Sequence, residues 1–257
     1  VGLSTGASVV IAQYYGAHNK DKIHQAVHTS YMLAIVSGII MMLFGLFFSY
    51  QCLDAIGVPH DILNDASLYM RLYFLGMIPG AIYNIGSGIL RAVGDSKRPL
   101  YYLIICSIVN VVFDFVLVVI LHKGIAGAAI ATFIAQTVCA ILVTLQLIFS
   151  KDVYQLTLSK IKFHLPVLKK IVKIGAPAGI QSTMYSIANI VLQTHINAFG
   201  TQTIASWSVY VKIDALFWMV MGAFGSTITT FTGQNYGAGL MKRVNQGMKT
   251  CLFMAFV

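Results

Sequence analysis

Glutamate is absent from this chain of 257 residues, and all eight acidic residues are aspartate. Its absence excludes enzymes that need a glutamate as general acid or base, and it excludes the His-Glu-X-X-His motif of zinc proteases. Charged residues are scarce as well, at 10% against roughly 25% in a soluble domain. Hydrophobic residues make up 58%, and the mean hydropathy is +0.79. The composition therefore predicts an integral membrane protein.

Cysteines and clustered metal ligands are also few. The four cysteines show no Cys-X-X-Cys spacing: Cys52, Cys106, Cys139 and Cys251. We predict isolated thiols in or near apolar helices, with neither a disulfide framework nor a metal site. His24 and His28 have the i, i+4 spacing of a metal-ligand pair. Their equivalents in the repeat described below are Asn245 and Lys249, which cannot form such a pair, so we predict no metal site there.

Long apolar runs divide the chain into helices that can cross a membrane. We predict spans near 25–50, 66–90, 98–121, 125–150, 174–199 and 204–236, with partial spans at 1–17 and from 243. Pro79 lies within its span and predicts a kink there. The chain begins without Met and ends within an apolar run, so we expect a piece of a longer protein.

Basic residues are concentrated in alternate loops of this topology. Four loops hold 14 of the 17 Lys and Arg residues: 18–24, 91–98, 151–173 and 242–249. Because cytoplasmic loops carry an excess of Lys and Arg, we predict a multi-pass protein of the cell membrane with these loops in the cytoplasm. This topology accounts for the net charge of +9 without a nucleic-acid partner.

A weak internal repeat relates two parts of the chain at a constant offset of 221 residues. The matching residues are Gln13, Tyr15, Gly16, Ala17, Gln25 and Thr29, which recur as Gln234, Tyr236, Gly237, Ala238, Gln246 and Thr250. The offset covers six predicted spans, so both copies have the same orientation, as in parallel-repeat transporters. We therefore predict an all-α polytopic membrane protein with two six-helix lobes, at 1–150 and, truncated, at 174–257.

The segment between the predicted lobes, 151–173, is the longest basic loop. Its apolar and basic residues alternate with helical spacing. This pattern predicts either a short helix on the inner membrane surface or a solvated basic linker.

Asn110 and Asp114 interrupt the apolar run 98–121. They are four residues apart and therefore share one face of a helix. A carboxylate at membrane depth costs about 2.5–3.5 kcal/mol on insertion scales, so such residues are typically functional. The pair predicts a cation site in a transporter; a carboxylate satisfied by neighbouring hydroxyl groups is the alternative.

Four motifs resemble those of multidrug and toxic compound extrusion (MATE) transporters: QYYGA at 13–17, LRAVGDSKRP at 90–99, GAPAG at 175–179 and GQNYGAG at 233–239. The resemblance extends over essentially the whole chain. It implies twelve helices in two lobes and drug export driven by a cation gradient, and it implies that this chain lacks the first and last helices.

The DinF-like branch of this family implies a cation site in the N-terminal lobe. That site includes an Asp on the first helix, which this chain lacks. Asn110 and Asp114 match its paired Asn and Asp, and the resemblance implies that Thr132 and Tyr69 are further ligands. The coupling ion is then Na⁺ or H⁺, with no other cofactor. The NorM branch uses a Glu in the second lobe, which has no counterpart here because the chain contains no Glu.

We predict that the exported compound binds between the lobes. The candidates are polar and aromatic residues of the second lobe: Gln181, Trp207, Tyr210, Lys212 and Asp214. An apolar and aromatic cavity with few charges suits amphipathic, cationic small molecules. We expect a monomer whose partners are this small-molecule substrate and membrane lipids.

The function that these features favour is a cation-coupled antiporter that works by alternating access. A lipid or lipid-linked oligosaccharide flippase of the same superfamily is the first alternative, and it requires a larger, more cationic cavity. An intramembrane enzyme is the remote alternative, since neither Asp114 nor Asp214 lies in a GxGD context. The GLSTG stretch at 2–6 matches a nucleophile pattern but lacks the preceding strand, so we expect it to serve helix packing.

Overall fold

The computed structural model of the protein describes residues 2–56, 58, 60–197 and 199–256. Its α-helices are α1 (Gly2–Gly16), α2 (Lys20–Ala55), α3 (His60–Leu75), α4 (Met77–Ala92), α5 (Lys97–Asp114), α6 (Gly124–Phe149), α7 (Leu165–Asn197), α8 (Thr201–Gly237) and α9 (Met241–Phe256). A π-helical segment, Phe115–Ile120, continues α5. The described part of the chain contains no strand, which confirms the all-α prediction.

Four helices of the described chain are long and apolar enough to cross a membrane: α2, α5 with its π-helical segment, α6, and α8 from Ser206 onward. The helices α3 and α4 meet the same length and composition test only when taken together, and they bend by 41° at their junction. The break lies at Gly76, and Pro79 lies in the first turn of α4. Proline has no N–H and a fixed φ, so it is tolerated in a first turn. The predicted kink is confirmed.

Helix α7 begins at Leu165, nine residues before the predicted span at 174–199. The stretch 165–173 is therefore the start of a 33-residue helix, and the prediction of a separate short helix on the membrane surface was wrong. The helical spacing in this stretch was correctly recognised. Its continuity with the next span was missed because the basic residues resemble those of a loop.

Helix α1 is the element around which the others pack. It contacts α2 and α4 of the N-terminal half (α1–α6), and α7 and α8 of the C-terminal half (α7–α9). Val10 and Ile11 are fully buried in a core that also contains Ile89 and Leu90 of α4. Ile171 of α7 belongs to the same core. One short helix thus joins the two halves.

The crossing of α1 and α7 depends on small residues. Gly2 and Gly6 of α1 face Gly175 and Gly179 of α7, and a Cβ atom on Gly175 would lie 2.8 Å from the backbone oxygen of Gly2. Glycine at i and i+4 on both helices allows their backbones to approach closely. This contact confirms that the GLSTG stretch serves helix packing.

The ends of α1 and α8 meet in a reciprocal contact. A Cβ atom on Gly16 would overlap the backbone of Gln234, and a Cβ atom on Gly237 would overlap the backbone of Gln13. These four residues are two repeat-related pairs, so the offset of 221 residues corresponds to a local twofold relationship. The side-chain Nε2 of Gln234 also donates to the backbone oxygen of Ala92 at 2.8 Å. Both helices end at the basic-loop side, where this contact ties the two halves together.

Two of the cysteines are paired, so the prediction of four isolated thiols was wrong. Cys106 of α5 and Cys139 of α6 form a disulfide with their Cα atoms 5.8 Å apart, while Cys52 and Cys251 are free. The pair is separated by 33 residues in sequence. The two cysteines meet because α5 and α6 are adjacent antiparallel helices. No local spacing motif in the sequence indicates this pairing.

Polar side chains of α2 fasten the loop that precedes α7. His28 is fully buried; its Nδ1 donates to the backbone oxygen of His24 at 2.7 Å, and its Nε2 accepts from the backbone nitrogen of Thr157 at 3.0 Å. The hydroxyl of Thr29 accepts from the backbone nitrogen of His164 at 3.1 Å. These bonds give His28 a structural role.

We expect His28→Ala to loosen this loop. The substitution leaves the partly buried backbone N–H of Thr157 without its partner His28, which costs about 1–3 kcal/mol. Trypsin should then cleave faster at Lys160, and the melting temperature in detergent should fall. His60→Ala, at an exposed helix start, is the control and should change neither. Equal cleavage rates in both variants would contradict the role assigned to His28.

Candidate functional site

The predicted pair Asn110 and Asp114 carries two buried polar atoms without a partner. Asp114 is the last residue of α5, and Asn110 lies one turn earlier. Within the described residues, four buried side-chain polar atoms make no hydrogen bond, and Asn110 Nδ2 and Asp114 Oδ1 are two of them. The other two are the hydroxyls of Ser30 and Ser87. Buried polar groups are rarely left unpaired, and such exceptions are often functional.

Within the described chain, Asp114 is also not neutralised by a basic residue. Arg98 and Asp95, 3.3 Å apart, form the one ion pair found between described side chains. Asp114 therefore has neither a cationic partner nor a hydrogen bond at Oδ1. The alternative of a carboxylate fully satisfied by hydroxyl groups does not fit this geometry.

The backbone changes from α-helix to π-helix immediately after Asp114. The π-helical segment runs from Phe115 to Ile120, and the N–H of Leu121 donates to the oxygen of Val116 at 2.9 Å. Helix α6 packs closely on it, since a Cβ atom on Gly127 would lie 3.1 Å from the oxygen of Leu117. π-Helical turns are rare and frequently occur at functional sites. The uninterrupted apolar sequence gave no signal for this feature.

The structure does not join the other two predicted ligands directly to this pair. Thr132, on α6, is partly buried, and its hydroxyl donates to the backbone oxygen of Ala128 at 3.0 Å. That bond leaves the oxygen lone pairs of Thr132 available. Tyr69, on α3, stacks on Tyr73 with ring centroids 6.3 Å apart. No hydrogen bond in the described chain connects Thr132 or Tyr69 with Asp114, so their place in the ligand set stays a prediction.

A cavity of about 800 Å³ lies between the two halves, among α1, α2, α3, α4, α6 and α7. Its volume is in the range of small-molecule sites, which is roughly 300–1,000 Å³. Its lining combines hydroxyls, amides, an aromatic ring and methionines, including Ser4, Ser37, Tyr73, Asn84, Gln136, Thr183, Met41, Met77 and Met184. Flexible methionine side chains allow such a cavity to adapt to different ligands.

Two polar residues of this cavity escaped the sequence analysis. Asn84 donates through Nδ2 to the backbone oxygen of Gly80 at 2.8 Å, and its own backbone oxygen accepts from the hydroxyl of Ser4 at 2.7 Å. Gln136 reaches the break between α3 and α4, where a Cβ atom on Gly76 would lie 2.7 Å from its Oε1. A signal was available, because Gln136 interrupts an apolar span as Asn110 and Asp114 do.

None of the second-lobe residues predicted for the substrate cavity is among the residues that line this cavity. These are Gln181, Trp207, Tyr210, Lys212 and Asp214. Trp207 and Tyr210 contact each other, with ring centroids 4.7 Å apart. Their role in substrate binding stays a prediction. No described residue that lines the cavity is Lys or Arg, which disfavours the flippase alternative and its cationic cavity.

These features define a polytopic α-helical membrane protein with an unpaired intramembrane carboxylate and a cavity between two halves, a combination typical of secondary transporters. A family model described as MatE matches residues 1–116 and 177–257. The chain belongs to the MATE family of membrane transporters.

Three relatives illustrate the similarity. The probable multidrug resistance protein YoeA of Bacillus subtilis (strain 168) is 26% identical over 100% of this chain and 57% of its own length. The probable multidrug resistance protein NorM of Thermotoga maritima is 23% identical over 95% of this chain and 53% of its own length. The FAD transporter of Shewanella oneidensis is 22% identical over 96% of this chain and 56% of its own length. The chain thus spans about half the length of these relatives.

Solved structures give the same result. An outward-facing multidrug resistance MATE family transporter of the MOP superfamily matches with a TM-score of 0.90 and 25% identity, over 99% of this chain and 57% of that chain. A MOP superfamily transporter from Pyrococcus furiosus, whose reversed pocket polarity suggests a different function, matches with a TM-score of 0.88 and 25% identity, over 99% and 57%. The relatives are transporters rather than enzymes, so the intramembrane-enzyme alternative is not supported.

Proposed function

We propose that the whole protein is a cation-coupled antiporter that exports amphipathic small molecules by alternating access. The observation that carries the proposal is the pair of unpaired buried atoms, Asp114 Oδ1 and Asn110 Nδ2, on one face of α5. Membership of the MATE family supports export as the direction of transport. The basic loops face the cytoplasm in this proposal, as the Lys and Arg distribution predicts.

The chemistry of the pair fits either of two coupling ions. Asp114 supplies a carboxylate, and Asn110 can supply its amide oxygen as well. The amide oxygen and nitrogen have nearly the same shape, so a flip of the side-chain amide places the oxygen where Nδ2 now lies. Thr132 offers a hydroxyl oxygen on the adjacent helix α6. Hard oxygen ligands suit Na⁺, and the carboxylate alone can carry H⁺.

Coupling follows from different preferences of the two ligands for two conformations. A cation that binds better to one conformation shifts the population toward it, and a drug that binds better to the other does the reverse. By linkage, each then weakens the binding of the other. The π-helical segment after Asp114 lies where a local rearrangement on cation binding would be transmitted to α6.

The cavity between the halves is the proposed site of the exported compound. Methionine and tyrosine side chains offer apolar contact, while Asn84 and Gln136 offer polar contact without a formal charge. Two of the relatives are named as probable multidrug resistance proteins, which supports a broad range of exported compounds. The apolar lining without a Lys or Arg suits amphipathic cations among them. We propose a monomer that works in contact with membrane lipids.

The coupling ion is identified by dye transport in proteoliposomes that contain the whole protein. A fluorescent cationic dye is added under an imposed sodium gradient or, separately, under a proton gradient. We expect one gradient to drive accumulation of the dye and the other to have little effect. Absence of gradient-driven transport for a panel of cationic, neutral and anionic dyes would overturn the proposal.

A bulky residue in the cavity should block large substrates. Ala176 lines the cavity. It lies on α7 between Gly175 and Gly179, the two glycines at the crossing with α1. We expect Ala176→Phe to raise the KM for a large dye by about tenfold, or about 1.4 kcal/mol. Ala223→Phe, at an exposed position of α8, is the matched control. An equal effect on KM in both variants, measured by initial transport rates, would remove the cavity from the substrate path.

A further inference from the structure

A second polar cluster lies away from the cation site, at the basic-loop end of the helices. The Nζ atom of Lys170 on α7 lies 4.7 Å from the ring centroid of Tyr14, and the Nζ atom of Lys22 on α2 lies 5.8 Å from the same centroid. Two ammonium groups from different halves of the protein therefore share one aromatic ring of α1. Cation–π contacts of this kind stabilise cations only modestly.

The positive charge of this cluster is not balanced within the described chain. Neither Lys22 nor Lys170 forms an ion pair there, and Asp21, the sequence neighbour of Lys22, pairs with neither. Lys170 precedes the predicted span, and burial, followed by the charge of Lys22, lowers the pKa of its ammonium group. A negatively charged ligand would oppose both effects on the pKa, because a nearby negative charge favours the charged form of the ammonium group.

One member of the cluster, Lys170, lies at a cavity that can hold such a ligand. Lys170 lines a cavity of about 580 Å³ among α1, α7, α8 and α9. Three of its other lining residues are Gln13, Thr232 and Tyr236, whose side chains form no hydrogen bond within the described chain. They supply an amide donor and two hydroxyl donors. A lysine with several neutral donors is the arrangement that binds phosphate oxygens.

We propose that this cavity, with Lys170 in its lining and Lys22 against the same Tyr14 ring as Lys170, binds a phosphate group. The group belongs to an anionic lipid headgroup or to free phosphate, since both present the same oxygens. The location suits a headgroup, because basic pockets between membrane helices at the cytoplasmic surface bind anionic lipids. The site draws residues from both halves next to the reciprocal contact of Gly16 and Gly237, so the bound phosphate stabilises this arrangement of the halves.

Lipid retention measured by native mass spectrometry tests the proposal. The purified whole protein in a neutral detergent is titrated with phosphatidylglycerol and, separately, with phosphatidylcholine. We expect preferential retention of phosphatidylglycerol. The double variant Lys22→Gln/Lys170→Gln should bind it about 25-fold more weakly, at about fivefold for each lysine.

The control Lys20→Gln/Lys169→Gln removes the same charge at exposed positions. Lys20 lies two residues before Lys22, and Lys169 lies one residue before Lys170. We expect its affinity for phosphatidylglycerol to stay within about twofold of wild type, because neither lysine lies against the Tyr14 ring or lines the cavity. An equal loss in both double variants would show nonspecific attraction to basic residues and overturn the site. Unchanged binding in Lys22→Gln/Lys170→Gln would also overturn it.

A thermal-shift assay with inorganic phosphate separates the two sources of the group. Stabilisation by phosphatidylglycerol alone, lost in Lys22→Gln/Lys170→Gln, identifies a headgroup site. Equal stabilisation by inorganic phosphate, lost in the same variant, identifies a site for free phosphate. Stabilisation by neither ligand overturns the proposal. The unfolding temperature of each variant without ligand is measured first, so that a folding defect is recognised.

Discussion

Asp114→Asn should abolish coupling while leaving the protein folded. We expect gradient-driven dye transport to fall about 10- to 100-fold, because the loss of a charged contact to a cation costs roughly 1.5–3 kcal/mol. Asparagine keeps the shape of the side chain but removes the negative charge and the site of protonation. The fall is measured as the initial rate of dye uptake in proteoliposomes at equal protein content.

Asp61→Asn is the matched control for this substitution. Asp61 is exposed in the first turn of α3, and its substitution by Asn removes the same single negative charge from the chain. We expect its transport rate to stay within about twofold of wild type, as surface charges contribute little. Unchanged transport in Asp114→Asn would make that carboxylate structural and move the cation site elsewhere.

Gly237→Ala should separate the halves at the basic-loop end. The added Cβ would overlap backbone atoms of Gln13, which cannot move aside as a flexible side chain can. Overpacking of this kind costs typically about 1–3 kcal/mol. We expect a lower melting temperature and a loss of transport. A larger effect should follow from Gly16→Ala combined with Gly237→Ala, because both reciprocal contacts are then lost.

Gly225→Ala, on the same helix, provides the control. A Cβ atom on Gly225 meets nothing within 4 Å, so alanine fits there. Alanine should even stabilise α8 by up to about 1 kcal/mol through its higher helix propensity. If Gly237→Ala and Gly225→Ala gave the same melting temperature and transport rate, the reciprocal contact would have no role in holding the halves together.

The sequence alone predicted features that depend on local pattern. Apolar runs located most of the spans, and Pro79 marked the kink between α3 and α4. The repeat relates Gln13 and Gly16 to Gln234 and Gly237, and in the structure these residues contact each other reciprocally. The spacing of Asn110 and Asp114 predicted one shared face, and both residues carry unpaired buried atoms.

Features that depend on contacts between distant residues were missed. Cys106 and Cys139 are paired because α5 and α6 lie side by side, which their separation in sequence does not reveal. The π-helical segment after Asp114 consists of ordinary apolar residues that pack against α6, and its sequence carries no local signal for this geometry. Gln136 does interrupt an apolar span, but only the fold shows that it lines the cavity that α6 helps to enclose.

Cation release on drug addition tests the central claim most directly. Proteoliposomes with the whole protein are loaded with radioactive sodium, or with a pH indicator, and an exported dye is added outside. We predict that dye entry releases the coupling cation in the wild-type protein and that Asp114→Asn releases none. Dye entry without cation release, or equal release by Asp114→Asn, would contradict an antiporter coupled through this carboxylate.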